Sequence, residues 1–173
     1  VVFVTFTPDR RMPFNASLVQ DQLGLSREIP AFDLSLACSG YAYGLYIAAS
    51  LSATGGKKVL LLDGDAQTAF TSPEDKSTAP VMADAGSATL LSFDGSGDEW
   101  KFTFYTDGSG REALTIPAGG SESPETEEDL AWNECEDGSR RRNIDIRMDG
   151  FATFRFVAVE VSGWLKRFLD EIG

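Results

Sequence analysis

The side chain best placed to do chemistry is Cys38, in the stretch Asp33-Leu34-Ser35-Leu36-Ala37-Cys38-Ser39-Gly40-Tyr41-Ala42-Tyr43-Gly44-Leu45. Residues 31–37 alternate in polarity like a strand, and an almost uncharged run from Cys38 to about Thr54 reads as a helix. The thiol therefore falls at a strand-to-helix turn, facing unpaired N–H groups and the positive end of a helix dipole, which favours thiolate. The same amides can bind an oxyanion once the thiolate attacks a carbonyl. Gly40, Ala42, Gly44, Ala48 and Ala49 predict a thin helix buried in the middle of the protein. Spacing alone leaves a second reading open, because free cysteine usually acts as a small buried apolar side chain. Cys135, between Glu134 and Glu136, sits in a field that opposes thiolate and reads as an incidental surface thiol.

The elements that must position Cys38 are legible on both sides of it. Val1 to Phe6 is an apolar, β-branched run of the kind found in a buried strand. Asn15 is expected to cap a helix through Leu18, Val19 and Leu23 that ends at Gly24. Gly55-Gly56 closes the nucleophile helix, and Lys58 to Asp63 reads as a strand buried on both faces. Strand, helix, strand, helix, strand implies an α/β layered fold with right-handed crossovers. Further on, Thr71 to Thr78 is expected to be a surface loop, and Val81–Phe93 and Trp100–Tyr105 two strands joined around Asp94-Gly95-Ser96-Gly97. Residues 117–142 read as a long excursion without a core of its own, and from about Asp149 the period of Phe151, Phe154, Ala158, Val161, Leu165, Phe168, Leu169 and Ile172 predicts a long amphipathic helix that needs a partner surface.

Composition excludes several classes of function. The chain has 173 residues, 27 acidic and 15 basic, a net charge of −12 and no histidine. Imidazole acid or base chemistry cannot be completed within it. Two cysteines without histidine make neither a zinc site nor a disulfide framework. The acidic balance argues against nucleic acid, since the one tight basic run is Arg140-Arg141-Arg142. No apolar run approaches the roughly 20 residues of a membrane span and no signal peptide opens the chain, so a cytoplasmic setting is expected. A first residue inside a core strand and a helix in search of a partner suggest a segment of a longer protein.

Ala37-Cys38-Ser39-Gly40-Tyr41-Ala42-Tyr43-Gly44-Leu45 resembles the nucleophile motif of the beta-ketoacyl-ACP synthase III enzymes, Ala-Cys-(Ala/Ser)-Gly-aromatic-x-Tyr-(Ala/Gly)-Leu. Weaker similarities fall in the family's order: Met12-Pro13 with Leu23-Gly24, the Pro73-Glu74-Asp75-Lys76-Ser77-Thr78 loop, Met82-Ala83-Asp84-Ala85-Gly86-Ser87-Ala88, and Met148-Asp149-Gly150 with Phe154. The resemblance implies a thiolase-like layered α-β-α-β-α architecture. Residues 1–116 would be the nucleophile half without its first strands, 117–147 a loop-rich excursion, and 148–173 the first helix of the C-terminal half. It implies that Cys38 accepts an acyl group from acyl-CoA before decarboxylative condensation with malonyl-ACP in fatty-acid synthesis. A His and an Asn from the other half would complete the site.

On the same resemblance no cofactor or metal is needed beyond the substrates acyl-CoA and acyl carrier protein, and the parent protein is a homodimer. Met12 and Met82 stand at substrate-binding positions where the family often has Phe. Flexible thioethers there imply a different or more adaptable acyl group. An acidic carrier implies a locally basic dock, for which Arg140–Arg142 or Lys166 with Arg167 are candidates. Two alternatives remain: a related condensing enzyme of polyketide or specialised lipid synthesis, and a non-catalytic α/β domain that binds a partner through its acidic loop.

Overall fold

The apolar runs around Cys38 become a four-stranded sheet of order β2-β1-β3-β4. Strand β1 (Val2–Val4) pairs in parallel with β2 (Phe32–Leu34) and β3 (Val59–Asp65), and β4 (Ala85–Leu91) lies antiparallel on the far side of β3. Parallel neighbours need crossovers, and α1 (Asn15–Gln22) and α2 (Gly40–Gly55) supply them. The computed structural model describes residues 1–55, 58–96 and 99–173. They form two compact units, Val1–Ala66 with Asp84–Trp100 and Gln67–Ala83 with Lys101–Gly173.

Strand periodicity sets the faces of the first unit. Register places Val2 and Val4 beside Phe32 and Leu34, and Val2 beside Leu61. Together with Ala48 of α2, Val59 and Leu91 they make the apolar core. Phe3 and Asp33, paired one position out of phase, point to the opposite face, where Asp33 meets α1. Helix α2 approaches the sheet through its glycines. A Cβ on Gly40 would lie 2.3 Å from Val4 Cγ1, and one on Gly44 2.8 Å from Leu61 Cδ1.

Three local expectations are corrected here. Only the Gly40, Gly44, Ala48 and Ser52 side of α2 is buried, while Tyr41, Tyr46 and Leu51 are exposed, because one face alone meets the sheet. Asn15 does not cap α1; it is the first helical residue, and its Oδ1 accepts the Asp9 N–H at 3.3 Å. Residues 100–105 form no strand: their alternation leaves Phe102 and Phe104 stacked at 6.2 Å, but no strand among the described residues pairs with them. The hairpin turn expected before them, and the Gly56 expected to help close α2, fall partly or wholly outside the described residues.

The second unit is built differently. Among the described residues its buried apolar side chains are Ala118 and Ile146, whereas Ser72, Asp75, Thr78, Ser139 and Asp145 are all buried. Two short antiparallel ladders, β5 (Leu114–Thr115) with β8 (Arg147–Met148) and β6 (Asn133–Glu134) with β7 (Arg140–Arg141), frame this polar interior. Residues 117–142 are therefore anchored, not coreless. The Arg140 N–H donates to the Glu74 carbonyl (3.3 Å), the Ile146 N–H to the Phe70 carbonyl (2.6 Å) and the Lys76 N–H to Ser139 Oγ (3.1 Å).

The C-terminal amphipathic stretch is helical as its period predicts. Asp149 Oδ1 accepts the Ala152 N–H at 2.9 Å and opens α3 (Gly150–Arg155), which passes through a π-helical turn (Phe156–Val161) into α4 (Ser162–Ile172). The wider turn coincides with Phe156, Val157, Val159 and Val161, side chains that crowd an α-helical turn. Trp164 on α4 stacks on Tyr105 at 4.7 Å and meets Phe156 edge-on at 5.5 Å. Phe151, Phe154, Leu165 and Leu169 remain exposed.

Candidate nucleophile site

The Cys38 turn is short and tightly held on both sides. The Leu36 N–H donates to the Leu34 carbonyl (3.1 Å) as β2 ends, and the Gly40 N–H donates to the Ala37 carbonyl (2.7 Å) as α2 begins. That second bond uses one of the amides expected to face the sulfur. The first helical bond, from the Tyr43 N–H to the Ser39 carbonyl, spans 3.3 Å. Cys38 is exposed, two residues ahead of a sixteen-residue helix whose N-terminal partial positive charge lies beside it. Contact of Gly40 with Val4 fixes how deeply the first turn seats on the sheet. The thiol is therefore rigidly carried and reachable, the two properties an acyl acceptor requires.

Met12 lies in the same unit, 85% exposed, on the segment leading into α1. Met82 belongs to the other unit; it is half-buried, and its N–H donates to the Thr78 carbonyl at 3.0 Å. Sequence reasoning missed Asp33. The N-cap of α1, Phe14, offers no side-chain acceptor. Instead Asp33 on β2 accepts the N–H groups of Asn15 (2.7 Å) and Ala16 (2.8 Å). One carboxylate thus ties the strand that delivers Cys38 to the helix that follows Met12. A carboxylate at the out-of-phase position of an otherwise apolar strand was the available signal.

A cavity of about 660 Å3 opens on the first unit, walled in part by Thr5, Asn15, Asp63, Asp65, Asp84 and Gly86; neither Cys38 nor Met12 lines it. Burial, and then the neighbouring Asp65, push the Asp63 carboxyl above its ordinary value. Asp65 is structural: its Oδ1 accepts Thr5 Oγ1 (2.8 Å), the Phe6 N–H (2.9 Å) and the Thr7 N–H (3.2 Å). Among the described residues no group of His, Cys, Asp and Glu is arranged to hold a metal. No helix among them is long and apolar enough to cross a membrane.

The candidate basic dock is largely self-neutralised. Arg140 pairs with Glu74 at 3.2 Å, Arg141 with Asp75 at 3.4 Å and Arg142 with Asp145 at 2.7 Å. Arg140 and Arg142 also lie over the Trp132 ring, 5.5 and 5.2 Å from its centroid. Arg167 lies 5.8 Å from the Tyr105 ring centroid.

Comparison with known proteins agrees with this geometry. Residues 32–108, which contain the Cys38 turn and β3 and β4, match the family model for 3-oxoacyl-[acyl-carrier-protein (ACP)] synthase III. The chain is 37% identical over its whole length to the beta-ketoacyl-[acyl-carrier-protein] synthase III of Chlamydia muridarum, covering 51% of that protein. It is 37% identical over 94% of its length to the corresponding protein of Natranaerobius thermophilus, covering 48% of it. A crystal structure of 3-oxoacyl-(acyl-carrier-protein) synthase III superposes on 99% of the chain with a TM-score of 0.94 and 32% identity, the chain covering 52% of it. The corresponding Burkholderia xenovorans structure gives a TM-score of 0.80 at 32% identity, again over 99% of the chain and 48% of that structure. The chain thus spans about half the length of these relatives.

The fold is that of the thiolase-like 3-oxoacyl-ACP synthase III structures on which the chain superposes. Along its whole length the chain is similar to the beta-ketoacyl-ACP synthase III enzymes, whose family model matches residues 32–108.

Proposed function

We propose that the protein carrying this chain is a 3-oxoacyl-ACP synthase III-type acyltransferase of fatty-acid synthesis, with Cys38 its nucleophile. The exposed thiol at the tip of α2 carries this reading. The Cys38 thiolate attacks the thioester carbonyl of acyl-CoA, forms the acyl-cysteine and expels CoA as its thiolate, which takes up a proton. Malonyl-ACP then loses carbon dioxide, and the electron pair released at its α-carbon attacks the acyl-cysteine carbonyl. A carbon–carbon bond forms, and the Cys38 sulfur departs with the pair that bound the acyl group. Amides at the α2 tip can stabilise the oxyanion of each tetrahedral intermediate.

The chain contains no histidine and spans about half of its relatives. In this reading the His and Asn that assist decarboxylation come from outside it, and the chain by itself is inactive. Acyl-CoA and acyl carrier protein are the substrates, no further cofactor takes part, and the enzyme works as a cytoplasmic homodimer. Met12 and Met82 contact the acyl chain, directly or across the dimer.

Intact-mass measurement after incubation with acetyl-CoA or a longer acyl-CoA tests the assignment. The wild-type protein should gain one acyl mass, Cys38→Ser none, and Cys135→Ser the same as wild type. An adduct that survives Cys38→Ser sinks the nucleophile, and no adduct at all favours a non-catalytic interaction domain.

A further inference from the structure

The turn that presents Cys38 rests on the end of β1 from both sides. On the strand side the Leu34 carbonyl, four residues before the cysteine, accepts the N–H groups of Thr5 and Leu36, each at 3.1 Å. On the helix side Gly40, two residues after it, packs on Val4 with no room for a Cβ. The ladder between β1 and β3 ends at the pair Val4–Asp63. Past that pair Asp65, two residues further along β3, holds the chain instead. One oxygen, Asp65 Oδ1, accepts the Thr5 hydroxyl at 2.8 Å, the Phe6 N–H at 2.9 Å and the Thr7 hydroxyl at 3.1 Å. It also shares the Thr7 N–H, at 3.2 Å, with the hydroxyl oxygen of Thr5, at 3.0 Å. Thr5 is 4% exposed, so this cluster is shielded where it meets the sheet.

Four donors on one carboxylate oxygen fix three consecutive residues, and bonds to a charged acceptor are about twice as strong as neutral ones. The Thr5 N–H that meets the Leu34 carbonyl therefore has a set position, and with it the height at which β2 releases Cys38. Such placement matters, because a reacting atom displaced by about 1 Å can cost roughly 100-fold in rate. We propose that Asp65 is a positioning residue for Cys38, acting through Thr5 and Leu34 to hold the sulfur where it meets a thioester carbonyl. This inference rests on the acyltransferase reading, in which Cys38 is the nucleophile.

The test follows the acyl mass gain at Cys38 in the full-length protein over a range of acetyl-CoA concentrations. It yields the maximal rate, the half-saturating concentration and the fraction of protein that reacts. Asp65→Ala should lower the maximal rate roughly 10- to 100-fold and leave the half-saturating concentration within about twofold, as loss of an interaction felt only in the transition state does. Asp65→Asn keeps an acceptor oxygen and should recover most of that loss. Val59→Ala, a core change at the opposite end of β3, is the stability control; it should lower the melting temperature and leave the maximal rate of the reacting fraction unchanged. Thr5→Val keeps the side-chain shape without the hydroxyl that Asp65 holds, and should lower the maximal rate alone. A wild-type maximal rate in the reacting fraction of Asp65→Ala, a change confined to the half-saturating concentration, or an Asp65→Asn as slow as Asp65→Ala overturns the proposal. If Asp65→Ala does not fold, Thr5→Val decides, and a wild-type maximal rate there overturns it. Failure of the wild-type protein to acylate at Cys38 removes the acyltransferase reading and this inference together; normal acylation in both wild type and Asp65→Ala removes this inference alone.

Discussion

Asp33 satisfies from a distance the two helix N–H groups that an ordinary N-cap side chain would serve, and it joins two segments of the candidate site in doing so. Asp33→Ala should therefore destabilise the first unit by about 1–2 kcal/mol, as loss of a helix cap does. Asp33→Asn should cost less, since its amide oxygen still accepts one of the two bonds. Chemical denaturation of both variants measures this, and a neutral Asp33→Ala would show that α1 starts independently of β2. Cys38 was legible because its neighbours state the strand, the turn and the helix in order. Asp33 stood out only as a carboxylate in an otherwise apolar strand, and its role depends on which helix the opposite face of β2 meets, a tertiary fact.

At the level of elements, the seating of α2 decides whether the thiol is presented at a fixed height. Gly40 and Gly44 press on Val4 and Leu61 at distances that leave no room for a methyl group. Gly40→Ala should cost about 1–3 kcal/mol by overpacking and lower the rate of Cys38 acylation, read by melting and by the time course of the acyl mass gain. Gly55→Ala, where a Cβ meets nothing within 4 Å, is the control and should leave acylation unchanged. The glycine pattern announced this close approach in advance. What lies against the remaining perimeter of α2 could not be read, because an uncharged helix looks the same in sequence whether one face or all of it is covered. Residues 100–105 misled for a related reason: alternation describes an extended backbone, and pairing requires a second strand that periodicity does not supply.

For the molecule as a whole, the distribution of carboxylates matters more than their number. Burial works to raise the Asp75 carboxyl, but hydrogen bonds from Ser77 and the charge of Arg141 outweigh it and hold the group below its ordinary 3.8. Hydrogen bonds from Asn143 lower Asp129, and those from Ser139 lower Asp137. A carboxyl lowered on folding stabilises fully above its unfolded value and loses that contribution as pH falls through the folded one. The second unit should therefore loosen below about pH 4, where these groups gain protons. Fluorescence of Trp132 and Trp164 during acid titration reports it. Asp75→Ala should cost about 3–5 kcal/mol at neutral pH, since it leaves a largely buried guanidinium without its nearer carboxylate, the other being Asp137 at 3.9 Å. The variant should also lose less than wild type on acidification, and equal acid sensitivity in the two proteins would contradict the assignment. Little of this was visible in the sequence, where residues 117–142 read as an excursion without a core of its own; their order comes from backbone and side-chain groups of the distant 70–76 segment.

An interior made of serine, threonine, aspartate and arginine also responds to temperature unlike one made of valine and leucine. Hydration of apolar groups raises the heat capacity when a chain opens, and hydration of polar groups lowers it. The unit around Ser72, Asp75, Ser139 and Asp145 should melt with a small heat-capacity increment for its size and keep a nearly constant enthalpy across the scan. The sheet unit, closed over Val2, Val4 and Leu61, should show the ordinary large increment, so calorimetry would tell the two interiors apart by curvature alone.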